Sequence, residues 1–369
     1  MELLGSSILI LQAKTYVLLY FCLKKKTASL CTFVLMSKNI VSIHNKMINL
    51  TLAICVYNAE KYIKETLESV MAQTMQDFHL LIVNDCSTDS SVAVIEEFFG
   101  KHPRQVEVIS FNENRGIGYA RHYAERKAET KYMMFLDADD VLYPNAIETM
   151  YRKITADNDL MAVGCYLEYV NEKSKKIGGG LYIGEKTKEG FYEKAKNRKL
   201  IFMQPTAVYD RGLALSVGGY VIDGYPEGKP RYQDYCEDLD LWTRMSDLYT
   251  QGKAIIVVPE VLCKYRKIGN GLSANSFNMI LKMRYTKQNL LRRRDGEKEL
   301  TFIEFYDSLT PKEIKGLKKD AFAADALRNG VFYLKRKNIF KAAWEITKSV
   351  FYRPGYIFDK LKHNFFKKK

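Results

Sequence analysis

The 369-residue chain has no continuous apolar run that reaches the roughly 20 residues a membrane-spanning helix needs. The nearest stretch, residues 8–23, is interrupted by Gln12 and Lys14, and its positive charges follow the apolar part, the reverse of a secretory signal. A cysteine framework is lacking too. The seven cysteines, Cys22, Cys31, Cys55, Cys86, Cys165, Cys236 and Cys263, are odd in number and scattered, with no Cys-x-x-Cys spacing. That argues against a zinc site or a disulfide scaffold and suits a reducing cytoplasm. Histidine is scarce: none of His44, His79, His102, His122 and His363 falls at a motif position given a role below, so a histidine base has no obvious candidate.

Charge is plentiful but uneven. The net charge is +14, yet residues 1–46 carry 6 Lys/Arg against 1 acid and residues 280–369 carry 23 against 10, which leaves 47–279 at −4. A mildly acidic centre suits a metal-using site better than a nucleic-acid groove. With 47% hydrophobic residues the chain can bury a sizeable core, expected as one large domain over 47–279 and a basic, aromatic helical extension over 280–369. Met47 opens MINLTLAICVYNAE, where a strand begins almost at once. Residues 1–46 are therefore expected to be a misassigned start or a disordered extension rather than a membrane anchor.

From Asn49 strands and helices alternate: strand 50–57, helix 59–73, strand 78–83, helix 89–99, strand 106–111, helix 119–128, strand 131–136. Ninety residues of this pattern predict an α/β fold with a mainly parallel central sheet and helices on both faces. Ligands of such sheets sit at the carboxyl ends of the strands, which selects Tyr57-Asn58, Asn84-Asp85 and Asp137–Asp140. Residues 171–200, charged and glycine-rich, read as a long loop or a solvated hairpin.

The apolar run Tyr132–Leu136 opens onto Asp137, Asp139 and Asp140, hard oxygen donors with which a divalent cation could hold a diphosphate; a solvated acidic turn has the same composition. Gly116 and Gly118, after Arg115, could admit a phosphate to the backbone or be ordinary loop glycines. Further on, QDYCEDLDLWTRM places Glu237 and Asp238 at the start of a helix, either for chemistry or because the helix dipole favours acids there.

Five blocks in order over about 49–273 resemble glycosyltransferase family 2 with its GT-A fold: LAICVYNAEKYI, ETLESVMAQTMQDFHLLIVNDCSTDSS, NRGIGYARHYAERKAETKYMMFLDADD, YCEDLDLWTRM and VPEVLCKYRK. The resemblance implies an inverting, metal-dependent sugar transferase of the hexosyltransferase type. Its donor would be a nucleotide sugar, UDP-sugar favoured, its acceptor a glycan or lipid-linked molecule, and its place surface polysaccharide synthesis. Tyr57 would lie beside the nucleobase and Asp85 would accept its imide N–H; Asp137 would sit near ribose and metal. Asp139 would be the main ligand of Mg²⁺ or Mn²⁺, with Asp140 in support. Asp238 would be the general base with Glu237 as its nearby substitute, and Arg115 and Arg121 would serve the phosphates or structural pairing.

The sequence departs from the family pattern at two places. Ile268 stands where many members carry a histidine, and Asn84-Asp85-Cys86 replaces a common Asp-Asp-Gly, which loosens the preference for uridine. In the C-terminal ninety residues, Arg292–Arg294, Lys335–Lys337 and Lys367–Lys369 accompany Phe332, Tyr333, Phe340, Trp344, Phe351, Tyr352, Phe365 and Phe366. This composition is expected to rest on an anionic membrane at the inner face of the plasma membrane, the alternative being a helical cap on the catalytic domain. The competing functions are a non-catalytic nucleotide-sugar-binding relative and a basic nucleic-acid binder, the latter disfavoured by the acidic centre.

Overall fold

The computed structural model describes residues 49–267, 271–272, 275–335 and 337–355. The extension expected over 1–46, Ile268, Arg336 and the terminal lysines and phenylalanines lie outside them. The first half follows the expected alternation: β1 (Leu50–Val56), α1 (Ile63–Met71), β2 (His79–Asn84), α2 (Ser91–Lys101), β3 (Val106–Ser110), α3 (Ile117–Lys127) and β4 (Tyr132–Asp137). Every residue of β1 is buried, as a strand covered by helices on both faces requires, whereas β3 is only partly buried because it forms the sheet edge. In α1 the buried Ile63, Leu67 and Val70 recur at helical spacing and dock on the sheet.

These strands pair in parallel in the order β3-β2-β1-β4. The register sets Val56 opposite Asn84 and Cys55 opposite Asp137, so Tyr57, Asp85 and the aspartates after β4 leave the sheet at one edge. Beyond β4 the sheet continues through β8 (Ala207–Asp210), β6 (Leu160–Val170), β9 (Ala254–Arg266) and β5 (Val141–Leu142), with β7 (Lys176–Leu181) on β6. β8 is antiparallel to both β4 and β6, while β6 and β9 are parallel. It follows that β6 and β9 run in the direction of β1–β4, and the end of β9 at Arg266 arrives at the same edge as Asp137.

Residues 171–200 form the hairpin partner β7 and then a helix that the composition concealed, α5 (Lys188–Lys196), after α4 (Ala146–Thr155). Thr187 caps it by accepting from Gly190 N–H at 3.2 Å, and only Phe191 and Ala195 are buried, too few apolar positions to stand out among the lysines. The short α6 (Arg211–Ser216), a 3₁₀ turn at Tyr232–Asp234 and α7 (Glu237–Met245) precede β9.

After β9 come α8 (Ser276–Arg294), α9 (Phe302–Asp307), α10 (Pro311–Lys335) and α11 (Ile339–Tyr352). They build a second small core from Leu281, Tyr285, Phe302, Phe305, Leu309 and Leu317, against which Tyr225 and Tyr232 of the first region pack. Tyr232 stacks on Phe302 with ring centroids 4.5 Å apart. Among the described residues no helix is long and apolar enough to cross a membrane, and all five described cysteines are free.

Candidate active site

Tyr57 directly follows β1 and is 49% exposed. The loops after β1 and β2 are tied together by Asn58, whose Oδ1 accepts from Thr88 N–H at 2.8 Å. Asp85 is buried, and its backbone N–H donates to Val56 O at 2.8 Å. Its carboxylate accepts from Arg115 N–H (2.7 Å), Gly116 N–H (2.8 Å) and Asn114 Nδ2 (2.8 Å). Burial pushes its pKa up and these donors oppose the rise. Asp85 thus organises the 114–116 loop. Arg115 lays its guanidinium over the Tyr119 ring, 3.4 Å from the centroid, with Glu113 at 3.8 Å.

The glycines of this loop are needed for close approach. Gly116 has φ +91°, and a Cβ there would lie 2.3 Å from Asp234 Oδ2; one at Gly118 would lie 2.7 Å from Gln233 O. Asp234 accepts from Gly118 N–H at 2.9 Å and so occupies the start of α3. Burial pushes its pKa up to about 6. Arg231, from the same turn, donates to the side chain and carbonyl of Asn114. Sequence reasoning passed over Arg231 and Asp234, because their partners lie more than a hundred residues away.

The acidic centre joins the end of β4 to the start of α7. Arg121, on α3 and only 4% exposed, donates to Asp137 at 2.5 Å and also to Glu237. Arg121 is thus paired with one carboxylate from each element. Asp140 turns inward and accepts from Arg266 N–H at 2.9 Å, while its own N–H donates to Asp137 O at 3.1 Å. The Arg266 side chain donates to Asp139 O (2.8 Å) and pairs with Glu65 (2.7 Å), and Thr66 of α1 donates to Ala138 O (2.9 Å). The aspartate turn is therefore clamped from both ends of the sequence. Arg266 was quoted within a motif without a role, since nothing local marks it.

Cys236 precedes α7 with φ +52°, a left-handed kink that puts Glu237 and Asp238 in the first helical turn, where the dipole favours negative charge. The two acids differ in commitment. Glu237 is held by Arg121, and burial nonetheless pushes its pKa up to about 8. Asp238 gives one oxygen to Leu239 N–H at 2.8 Å, and burial raises its pKa as well. Of the two acids, only Glu237 is ion-paired with Arg121.

No three His, Cys, Asp or Glu side chains converge as a ready-made metal site among the described residues. The chemistry present does fit a cation held by two carboxylates. Burial, and then the charge of Asp137, push the Asp139 pKa up to about 6; Asp137 is paired with Arg121, whereas the Asp139 carboxylate has no ion pair among the described residues. A hard cation such as Mg²⁺ or Mn²⁺ on Asp137 and Asp139 would relieve that repulsion, with diphosphate and water completing its shell.

Residues 51–214 match the family model for glycosyl transferase family 2. Residues 51–214 form a glycosyl transferase family 2 domain. One relative of this transferase domain is the teichoic acid poly(glycerol phosphate) polymerase of Staphylococcus epidermidis, 42% identical over 116 residues, covering 31% of this chain and 16% of that protein. Another is the putative teichuronic acid biosynthesis glycosyltransferase TuaG of Bacillus subtilis, 25% identical over 264 residues, covering 70% of this chain and 94% of that protein. The chain spans less than two thirds of the length of several curated relatives it matches. Among solved structures, S. aureus TarS 1–349 in complex with UDP-GlcNAc aligns with a TM-score of 0.50 at 19% identity, over 83% of this chain and 92% of that one. That likeness concerns the fold, which is GT-A with C-terminal helices, as the motif blocks implied.

Proposed function

We propose that this family 2 member moves a sugar from a nucleotide-sugar donor, UDP-sugar favoured, to a hydroxyl of a glycan or lipid-linked acceptor in surface polysaccharide synthesis, with inversion. The observation that carries the reading is Arg121, which draws the end of β4 and the start of α7 into one polar cluster across 116 residues of sequence. Donor-side and base-side acids thereby share a site. Asp238 takes the acceptor proton as the hydroxyl oxygen bonds to the anomeric carbon; the carbon–oxygen bond to the diphosphate breaks, and its electron pair leaves with the nucleoside diphosphate. Mg²⁺ or Mn²⁺, when bound by Asp137 and Asp139, would neutralise charge gathering on that leaving group. Asp140, Arg266 and Thr66 hold the turn rigid, and Tyr57 and Asp85 frame the nucleoside.

The same reading puts the protein at an anionic membrane, on its cytoplasmic side. On α11 the exposed Phe340, Trp344 and Phe351 fall within about 40° of one another around the axis. They lie opposite the buried Ala342 and Ser349, so the aromatic stripe points away from the protein, flanked by Lys341 and Lys348. Aromatic and basic residues so arranged suit an interfacial helix.

Purified full-length protein supplied with nucleotide sugars and Mn²⁺ tests the chemistry. Asp238→Asn should keep donor affinity while lowering transfer roughly 10²-fold or more. Transfer near the wild-type rate in Asp238→Asn, with Glu237→Gln inactive, would reassign the base to Glu237.

A further inference from the structure

A cavity of about 570 Å³ opens beside α7, within the size range of small-molecule sites. One wall is α10, where Lys318, Ala321, Phe322 and Asp325 follow one another at helical spacing along a single face; Ser276 and Phe277, at the start of α8, and Tyr235 are among the other residues lining it. Tyr235 lies three residues before Asp238, so even in a fully extended chain their Cα atoms are at most about 11 Å apart. Resting on the transferase reading above, we infer that this cavity holds the acceptor, and that the acceptor is a phosphate-bearing sugar or polyol.

The charges of the lining give the class. Asp325 is already engaged, by Arg328 at 2.6 Å and by Ser276 Oγ at 2.5 Å. Lys318, seven residues earlier on the same face and exposed, has no ion pair among the described residues and brings a cation to the cavity lining. Phe322, half exposed, and Phe277 offer apolar surface to the body of a sugar or polyol. Phe322 also stacks on Tyr352 with centroids 5.3 Å apart, at the end of α11. An acceptor attached to lipid would thus enter from the helix that carries the exposed aromatic stripe.

The test uses the full chain and two probes that differ only in the phosphate, glucose 6-phosphate and glucose, with binding read by saturation-transfer NMR and calorimetry. Glucose 6-phosphate should bind, glucose should bind at least tenfold more weakly, and both Lys318→Ala and Phe322→Ala should weaken glucose 6-phosphate about tenfold. Equal binding of the two sugars, no binding of the phosphate, or unchanged affinity in both variants would overturn the assignment. UDP with Mn²⁺ is titrated into the same proteins: its binding to the variants shows that they are folded, and its failure to bind wild type would remove the transferase reading without touching the sugar-phosphate result.

Discussion

Asp139 carries the plainest consequence at the scale of single residues. An isolated aspartate keeps its charge down to about pH 4, but burial and Asp137 push this one up to about 6. Its charged form is therefore lost as pH falls through about 6, and with it the carboxylate proposed to bind the cation. Mn²⁺-dependent donor binding should fall steeply between pH 7 and 5, and Asp139→Ala should abolish the metal dependence at every pH; calorimetry across that range checks both, and a flat profile would show that Asp139 does not bind the cation. Arg121 is the second case. Its removal leaves Asp137 and Glu237 facing each other without a cation in a buried site, and Arg121→Met should cost about 3–5 kcal/mol of stability in urea unfolding, as for other broken buried pairs. Arg121→Lys should recover only part, because a single ammonium cannot fork between two carboxylates as the guanidinium does. The sequence marked Arg121 as a candidate because it sits inside a motif. Arg266 escaped because its value lies entirely in partners from α1, the aspartate turn and the loop after β6.

Among the elements, periodicity and strand-end position were enough to place β1 through β4 and their helices to within a few residues, since each buries an apolar face large enough to show. Thus Tyr57, Asp85 and the β4 aspartates could be grouped before any coordinates. The 171–200 segment was less legible because α5 buries only Phe191 and Ala195. What α11 presents could be read as composition but not as direction: whether its aromatics face inward depends on which side packs on α10. Phe340 is 91% exposed, Phe351 82% and Trp344 63%, so replacing all three by serine should leave the melting temperature unchanged while releasing the protein from anionic liposomes in a flotation assay. A drop in melting temperature with unchanged flotation would indicate a packing role instead.

At the scale of the whole molecule, the partition of charge guides the expectations. The acidic middle holds the carboxylates proposed to take a cation and the basic C-terminal helices pack on Tyr225 and Tyr232, so donor binding and surface attachment should respond differently to salt. Raising salt from 0.05 to 0.5 M shortens the screening length to a few ångströms and should detach the protein from anionic vesicles, while donor affinity through a directly bound metal changes little. Vesicles without anionic lipid should fail to recruit it at either salt. The docking of α8 and α9 on Tyr225 and Tyr232 could not be read from the sequence, because each partner alone looks like an ordinary loop tyrosine or an ordinary helix face.

The clamp at Arg266 also sets an order of events during synthesis. A nascent chain carries Glu65, Asp139 and Asp140 early, but the backbone N–H that fixes Asp140 belongs to a residue 126 positions later. Until the ribosome has passed it, the aspartate turn lacks every contact that Arg266 makes with Asp139, Asp140 and Glu65, so a translation product cut short of the end of β9 cannot hold the turn as the finished chain does.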